Sequence, residues 1–346
     1  HNCPTIGNDV IVSVDAIVGG VEGAGRGWQM LMECLAAGRG ISLPAQSVGG
    51  SKKALRVTSA HAVIRKQFAT PIGKFEGIEE PLSRIAGVNY VLESMRKFTL
   101  GAIDKGLKPP VITAMAKHYS TELFRKSSGD AMDIMGGCGI SMGPRNLVGD
   151  LWAASPIGIT VEGANILTRT LMIFGQGALR AHPYAFKEVD AIDKGDVKLF
   201  DWAFWGHVGH IVRNLFRSVV LSVSRGYLAT SPVKGDLAKY YRRLTWASAS
   251  FAIMADVTMG VLGGSLKQKQ KITGRFADIL AWMYMCTAVL RRFEAEGRKP
   301  EDLPFVKYGL KMGLSEIQYA FDGIFDNLKI PGLSWFVKGW LGAWSR

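Results

Sequence analysis

Apolar residues set at helical spacings, in long runs broken by glycine and proline, constrain this chain more than any other feature. Trp28 to Ala37 begins one run, and after Gly38–Gly40 a second extends from about Leu43 to Phe68, with Val48, Leu55 and Ala62 recurring every seven residues. Ile78, Leu82, Ile85, Leu92, Met95 and Phe98 mark one face of the next, which stops at Lys105-Gly106 in the basic-then-glycine manner of a helix end. Pro109 and Pro110 open another whose face is Ile112, Met115, Tyr119 and Leu123, running to about Met135 and a GGCG break. Residues 182–196 are polar and read as a linker. Beyond them Asp201–Tyr227, Leu237–Leu266, Gly274–Glu296 and Pro304–Leu328 are further helical stretches. Single apolar stripes joined by short loops predict an all-α, antiparallel bundle. Only residues 1–20, with Val10, Val12 and Val14 in alternation, read as extended, the last strand of a β domain. The expected organisation is therefore a β remnant at 1–24, a helical bundle at 25–180 and a second helical domain at 181–346.

At 346 residues and 48% hydrophobic composition, the chain can bury one or two cores. Its four cysteines, Cys3, Cys34, Cys138 and Cys286, are far apart and include no C-x-x-C pair, which argues against a disulfide framework or zinc site and fits a reducing compartment. The opening HNCPTIGNDVIV has no signal-peptide pattern and reads as the middle of a longer protein. Net charge is +13, with 19 Lys+Arg against 14 Asp+Glu in 1–180 and 23 against 15 in 181–346. Such an excess suits nucleic acid, anionic lipid or an anionic cofactor, and no zinc-finger or RNP-like motif favours the first. Leu244–Leu266 is the most apolar stretch, but Asp256 in its middle makes it a buried bundle helix rather than a span. His207 and His210 stand at i, i+3 without a third ligand at metal spacing, so no metal is expected.

One window carries chemistry. In PIGITVEGANILTRTLMIFGQG (156–177) a single acid, Glu162, sits between Ile157, Ile159 and Val161 on one side and Gly163 on the other. Asn165 stands where a helix N-cap would, and Gly175 and Gly177 read as the end of that helix. A carboxylate among apolar neighbours gains basicity from burial, and a glycine beside it lets a substrate approach, as a general base requires. An acid ahead of a helix N-terminus is equally a favourable dipole contact, so the window alone leaves both readings open.

The pattern Val161-Glu162-Gly163-Ala164-Asn165, followed by an apolar helix with an arginine, resembles the catalytic segment of the acyl-CoA dehydrogenases. Two further segments resemble that family in the same order. IRKQFATPI (64–72) is similar to its R-x-x-F-G-x-P-I motif, with Ala69 in place of the glycine. MDIMGGCG (132–139) is similar to its Q-I-x-G-G-x-G turn, with Asp133 in place of the glutamine. The turn GVEGAGRGW (20–28) and Gly38-Arg39-Gly40 resemble its entry into the helical domain, while YVLESM (90–95) and AIDKG (102–106) lean to the very-long-chain branch. Residues 181–346 resemble the extension of bacterial long-chain members.

The resemblance implies FAD-dependent α,β-dehydrogenation of medium- or long-chain fatty acyl-CoA to the trans-2-enoyl thioester, the first step of fatty-acid β-oxidation. It implies Glu162 as the base that removes the α-proton. It implies FAD contacts from Arg65, Gln67, Phe68, Gly136, Gly137, Ala164 and Asn165, and acyl-CoA contacts from Arg39, Val161 and Gly163. Arg65 and Phe68 would serve the FAD of a neighbouring subunit, so a homodimer or larger homo-oligomer is implied. Electron-transferring flavoprotein would be the acceptor, and the setting the bacterial cytoplasm beside the inner face of its membrane. Activity would need the family's N-terminal domains. Two alternatives stay open: a related acyl-CoA oxidase, and a non-catalytic membrane-associated acyl-CoA scaffold. The second draws on PGLSWFVKGWLGAWSR, where Trp335, Phe336, Trp340 and Trp344 fall at spacings suited to one helical face.

Overall fold

The computed structural model describes residues 3–328. The tryptophan-rich segment 335–344 therefore lies outside the described residues. Twelve α-helices account for most of what is described, and one two-stranded hairpin is the only sheet among the described residues. The strand expected in 1–20 does not form. Val14–Ala16 and Val21–Gly23 are short 3₁₀ turns instead, and Val10, Ile11 and Val12 are exposed. No second strand lies beside this segment among the described residues to take up its backbone hydrogen bonds.

Helix α1, Gly27–Ile64, runs through the expected break at Gly38–Gly40 and through Pro44. These glycines serve close approach rather than termination. A Cβ at Gly40 would stand 2.7 Å from Thr113 Cγ2, and one at Gly50 would stand 2.4 Å from Phe124 Cε2. The same contacts set direction, since Gly40 meets Thr113 and Gly50 meets Phe124. Helices α1 and α3 (Pro110–Met135) thus run parallel, with α2 (Glu76–Asp104) packed against both. The one-turn α4 (Gly137–Ile140) and then α5 (Gly149–Thr160) follow.

The chain then enters α6 (Asn165–Leu167), a π-helical stretch Thr168–Gln176, and α7 (Gly177–Ala181) without interruption. The helix therefore does not end at Gly175 and Gly177. Cβ atoms there would stand 3.1 Å from Thr170 O and 2.9 Å from Met172 O, so the glycines accommodate the wide π turn. The expected linker 182–196 holds α8, Ala185–Lys194, capped by His182 Nδ1, which accepts the amides of Tyr184 (3.2 Å) and Ala185 (2.9 Å). Asp196 caps α9 (Val197–Val223) by accepting the Leu199 amide at 3.0 Å. Helices α10 (Ala238–Leu262), α11 (Gln270–Ala295) and α12 (Leu303–Asn327) follow among the described residues. Residues 238–268 are long and apolar enough to cross a membrane by length and composition. Here α10 packs against α9 and α11 and buries Trp246, Ala247, Met254 and Asp256.

One core joins both halves. It runs from Val48, Leu92 and Met95 through Met115, Ile173 and Phe174 to Phe276, Met285, Leu310 and Phe321. Phe174 and Phe276 stack with centroids 4.4 Å apart. Arg169 grips both oxygens of Asp278 on α11, and the Tyr119 hydroxyl donates to Asp278 Oδ1 at 2.7 Å. The helix that follows Glu162 is thereby fixed from both the bundle and the extension.

Candidate active site

Glu162 lies in the turn between α5 and α6, at φ 56°, and Gly163 follows at φ 101°. A left-handed conformation costs a residue with a Cβ about 1–2 kcal/mol, so other contacts must hold it. Arg39 Nε donates to Glu162 O at 3.0 Å. Lys117 Nζ donates to Gly163 O at 2.6 Å, and Thr168 Oγ1 adds a 3.3 Å bond to the same oxygen. Backbone strain held in place this way is a mark of functional sites. The Glu162 side chain points at α1. Its Oε1 lies 3.3 Å from where a Cβ of Gly38 would stand, and its buried Oε2 has no hydrogen-bond partner. A carboxylate with one oxygen unspent, facing a bare glycine, is arranged to receive a proton.

Three of the sequence-predicted residues meet Glu162 here. Arg39 is buried and holds the turn through the Glu162 carbonyl. Desolvation lowers its pKa, with the Glu162 carboxylate opposing that effect. Gly163 supplies the left-handed link, and Val161 the half-buried entry to it. Asn165 is not the N-cap. It is the first residue of α6, with Ala164 exposed at the capping position. The buried Asn165 amide is fully used inside the chain. Its Oδ1 accepts from Lys117 at 2.7 Å, and its Nδ2 donates to Thr121 Oγ1 and Glu122 Oε1, both at 2.9 Å. As placed, Asn165 positions the turn and has no free group for a cofactor.

Lys117 is the residue that sequence reasoning missed. It is completely buried on α3, and burial lowers its pKa to about 8, helped by Arg39 and opposed by Glu162 and Glu122. The available signal was a lone lysine in the run Thr113–Thr121, whose other members are Thr, Ala, Met, His, Tyr and Ser.

The remaining predicted residues lie elsewhere. Arg65 caps the C-terminus of α1, about 39 Å along the helix from Arg39 at 1.5 Å per residue. Lys66–Gln67 and Thr70–Pro71 form the hairpin after it, turning on Phe68 (φ 50°) and Ala69 (φ 59°). Ala69 thus adopts the left-handed conformation expected of the glycine it replaces. Phe68 is 92% exposed, touching Phe75 edge-on, and Arg65 and Gln67 are also exposed. Gly136 (φ 55°) ends α3 and Gly137 begins α4, with nothing within 4 Å of where either Cβ would stand. Because α1 and α3 run parallel, the hairpin and this glycine pair share one end of the bundle, far from Glu162.

The fold and site together define a class: a helical domain presenting a carboxylate at one end and an exposed Arg-Phe hairpin with a bare glycine turn at the other. Comparison with known proteins agrees. Residues 25–173 match the acyl-CoA dehydrogenase C-terminal domain, and residues 179–346 match the acyl-CoA dehydrogenase C-terminal region of bacterial type. The probable acyl-CoA dehydrogenase FadE10 of Mycobacterium tuberculosis is 29% identical over 283 residues, covering 79% of this chain and 42% of that protein. The very long-chain specific acyl-CoA dehydrogenase of Rattus norvegicus mitochondria is 31% identical over 121 residues, 35% of this chain and 18% of that protein. Among solved structures, an acyl-CoA dehydrogenase of Bacillus anthracis complexed with FAD superposes with TM-score 0.75 at 18% identity. The match covers 93% of this chain and 54% of that one. The chain belongs to the acyl-CoA dehydrogenase family and carries its C-terminal helical parts. It spans less than half the length of the curated relatives it matches.

Proposed function

We propose that this chain is the base-bearing part of an FAD-dependent dehydrogenase that converts a medium- or long-chain fatty acyl-CoA to its trans-2-enoyl thioester. The observation that carries the reading is the strained Glu162, held over Gly38 with Oε2 unspent. The open backbone at Gly136 and Gly137 and the outward Arg65, Gln67 and Phe68 fit the cofactor: a guanidinium can pair bidentately with pyrophosphate, and a bare turn lets a nucleotide come close. Their distance from Glu162 supports delivery to a second subunit's cofactor, hence a homodimer or larger homo-oligomer. When bound, FAD supplies the acceptor for the β-hydride. Glu162 takes the α-proton onto its carboxylate. Arg39, Lys117 and Thr168 fix the backbone that aims it, and such positioning matters as much as basicity. Electron-transferring flavoprotein is the proposed acceptor. The whole protein, purified with its flavin, should lose flavin absorbance when palmitoyl-CoA is added without oxygen. A flavin that stays oxidised under those conditions would rule the reading out.

Docking of the extension against the inner face of a bacterial cytoplasmic membrane is supported by α9. Trp205, Val212, Phe216 and Val223 follow one another at seven, four and seven residues, 68%, 61%, 71% and 79% exposed. Lys198, Arg213 and Arg225 flank them, also exposed. Aromatic rings favour the interface, and each basic residue near an anionic surface contributes about 1 kcal/mol. Co-sedimentation with anionic vesicles should weaken with salt and drop when Trp205 and Phe216 become serine. Equal recovery with neutral vesicles would count against docking.

A further inference from the structure

A cavity of about 320 Å³ lies where the bundle meets the extension, walled by α3, by α6 with the π-helical stretch, and by α11 and α12. Its volume is at the small end of the range for ligand sites. Glu162, Arg39 and Lys117 do not line it, so it is separate from the place where the base acts, although Asn165 reaches it.

Most of the charge in its wall is already spent. Asp278 meets the Arg169 guanidinium through both oxygens and accepts the Tyr119 hydroxyl. Glu122 accepts the Asn165 amide at 2.9 Å and Arg125 Nη2 at 2.6 Å. His118 is buried, and burial pushes its pKa down to about 4, so the ring adds no charge at neutral pH. Its Nδ1 has no hydrogen-bond partner, which leaves an unspent polar group in the wall. Two charges remain. Glu316, half-buried on α12, and Lys126, exposed on α3, both line the cavity. Neither is in an ion pair among the described residues. A carboxylate drawn out of water without a cation is unfavourable, so Glu316 calls for one. A simple cation would answer Glu316 and leave Lys126 unmatched, and a simple anion would do the reverse. The wall also includes Leu123 and the indole of Trp282, which suit an apolar chain.

We propose that this cavity binds a small zwitterion, its ammonium on Glu316 and its carboxylate on Lys126, with a short apolar chain against Leu123 and Trp282. The recognition is of two opposite charges at a fixed separation, so the length of the chain between them sets the preference.

The test adds unbranched ω-amino acids, from glycine to aminooctanoic acid, to the full chain and follows them by calorimetry and thermal melts. One chain length should bind best and raise the melting temperature. The effect should vanish when either end of that probe is capped, as the amide or the N-acetyl derivative. Glu316→Gln should weaken the best probe about tenfold, because a half-buried charged contact is lost. Lys126→Gln, at the exposed end, should weaken it about two- to fivefold. Neither side chain is paired within the chain, so the free variants should melt as the parent does. Glu162→Gln should bind the probe like the parent, which keeps this result independent of the base assignment. No probe binding below about 10 mM, capped probes binding as well as free ones, or equal binding by the parent and both cavity variants would overturn the proposal. Lys126 closing over Glu316 would satisfy both charges from within and give the first of those results.

Discussion

Glu162→Gln should lower kcat of the whole enzyme by about two to four orders of magnitude, the range a positioned general base contributes, while leaving the flavin content unchanged. The amide is nearly isosteric and cannot take a proton at neutral pH. The contacts that hold the turn go to the main chain, Arg39 to Glu162 O and Lys117 to Gly163 O, and the substitution leaves them in place. Loss of turnover with a normal melting temperature is thus the expected signature. Steady-state kinetics beside a thermal melt separate it from a folding defect.

The second large effect belongs to Lys117. Lys117→Met keeps the length of the side chain but removes the donor to Asn165 Oδ1, leaving that buried acceptor unsatisfied at about 1–3 kcal/mol, and leaves Gly163 O with only its 3.3 Å bond from Thr168. Both stability and kcat should fall, because the turn that aims Glu162 loosens. The group also makes a pH prediction. Its folded pKa, about 8, is below the ordinary 10.5 because burial disfavours the ammonium. Between those values the unfolded chain binds the proton that the folded chain has released, so this group's contribution to stability rises with pH from about 8 to 10.5. The neutral amine still carries two hydrogens for its two acceptors, so the turn survives deprotonation. Denaturant melts across that window should show the rise in the parent protein and its absence in Lys117→Met. A parallel pH dependence in both would contradict the assignment.

How much of this was legible in the sequence depended on whether the signal was local. The Ile78–Phe98 and Ile112–Leu123 stripes give α2 and α3 because a buried face imposes its period on consecutive residues. Glu162 stood out because its apolar neighbours and Gly163 are adjacent in the chain. Gly38 and Gly40 misled, since a glycine that admits Glu162 or Thr113 looks in sequence like one that ends a helix. The helix in 182–196 was hidden because its cap is a histidine ring nitrogen rather than a usual capping side chain. Lys117 and Asp256 stand out locally only as single charges in otherwise uncharged runs, which does not say what they meet. What makes each of them matter is burial beside residues dozens of positions away, at Gly163 and Asn165 in one case and at His182 and His207 in the other.

The central claim is that the Glu162 carboxylate removes the α-proton, and proton removal can be read without the redox step. The whole enzyme in D₂O, given an acyl-CoA analogue that binds but cannot surrender a β-hydride, should exchange deuterium into the α-position. In Glu162→Gln that exchange should slow by at least about a hundredfold. Exchange at the parent rate in a folded, flavin-loaded Glu162→Gln enzyme would contradict the account and place the base elsewhere.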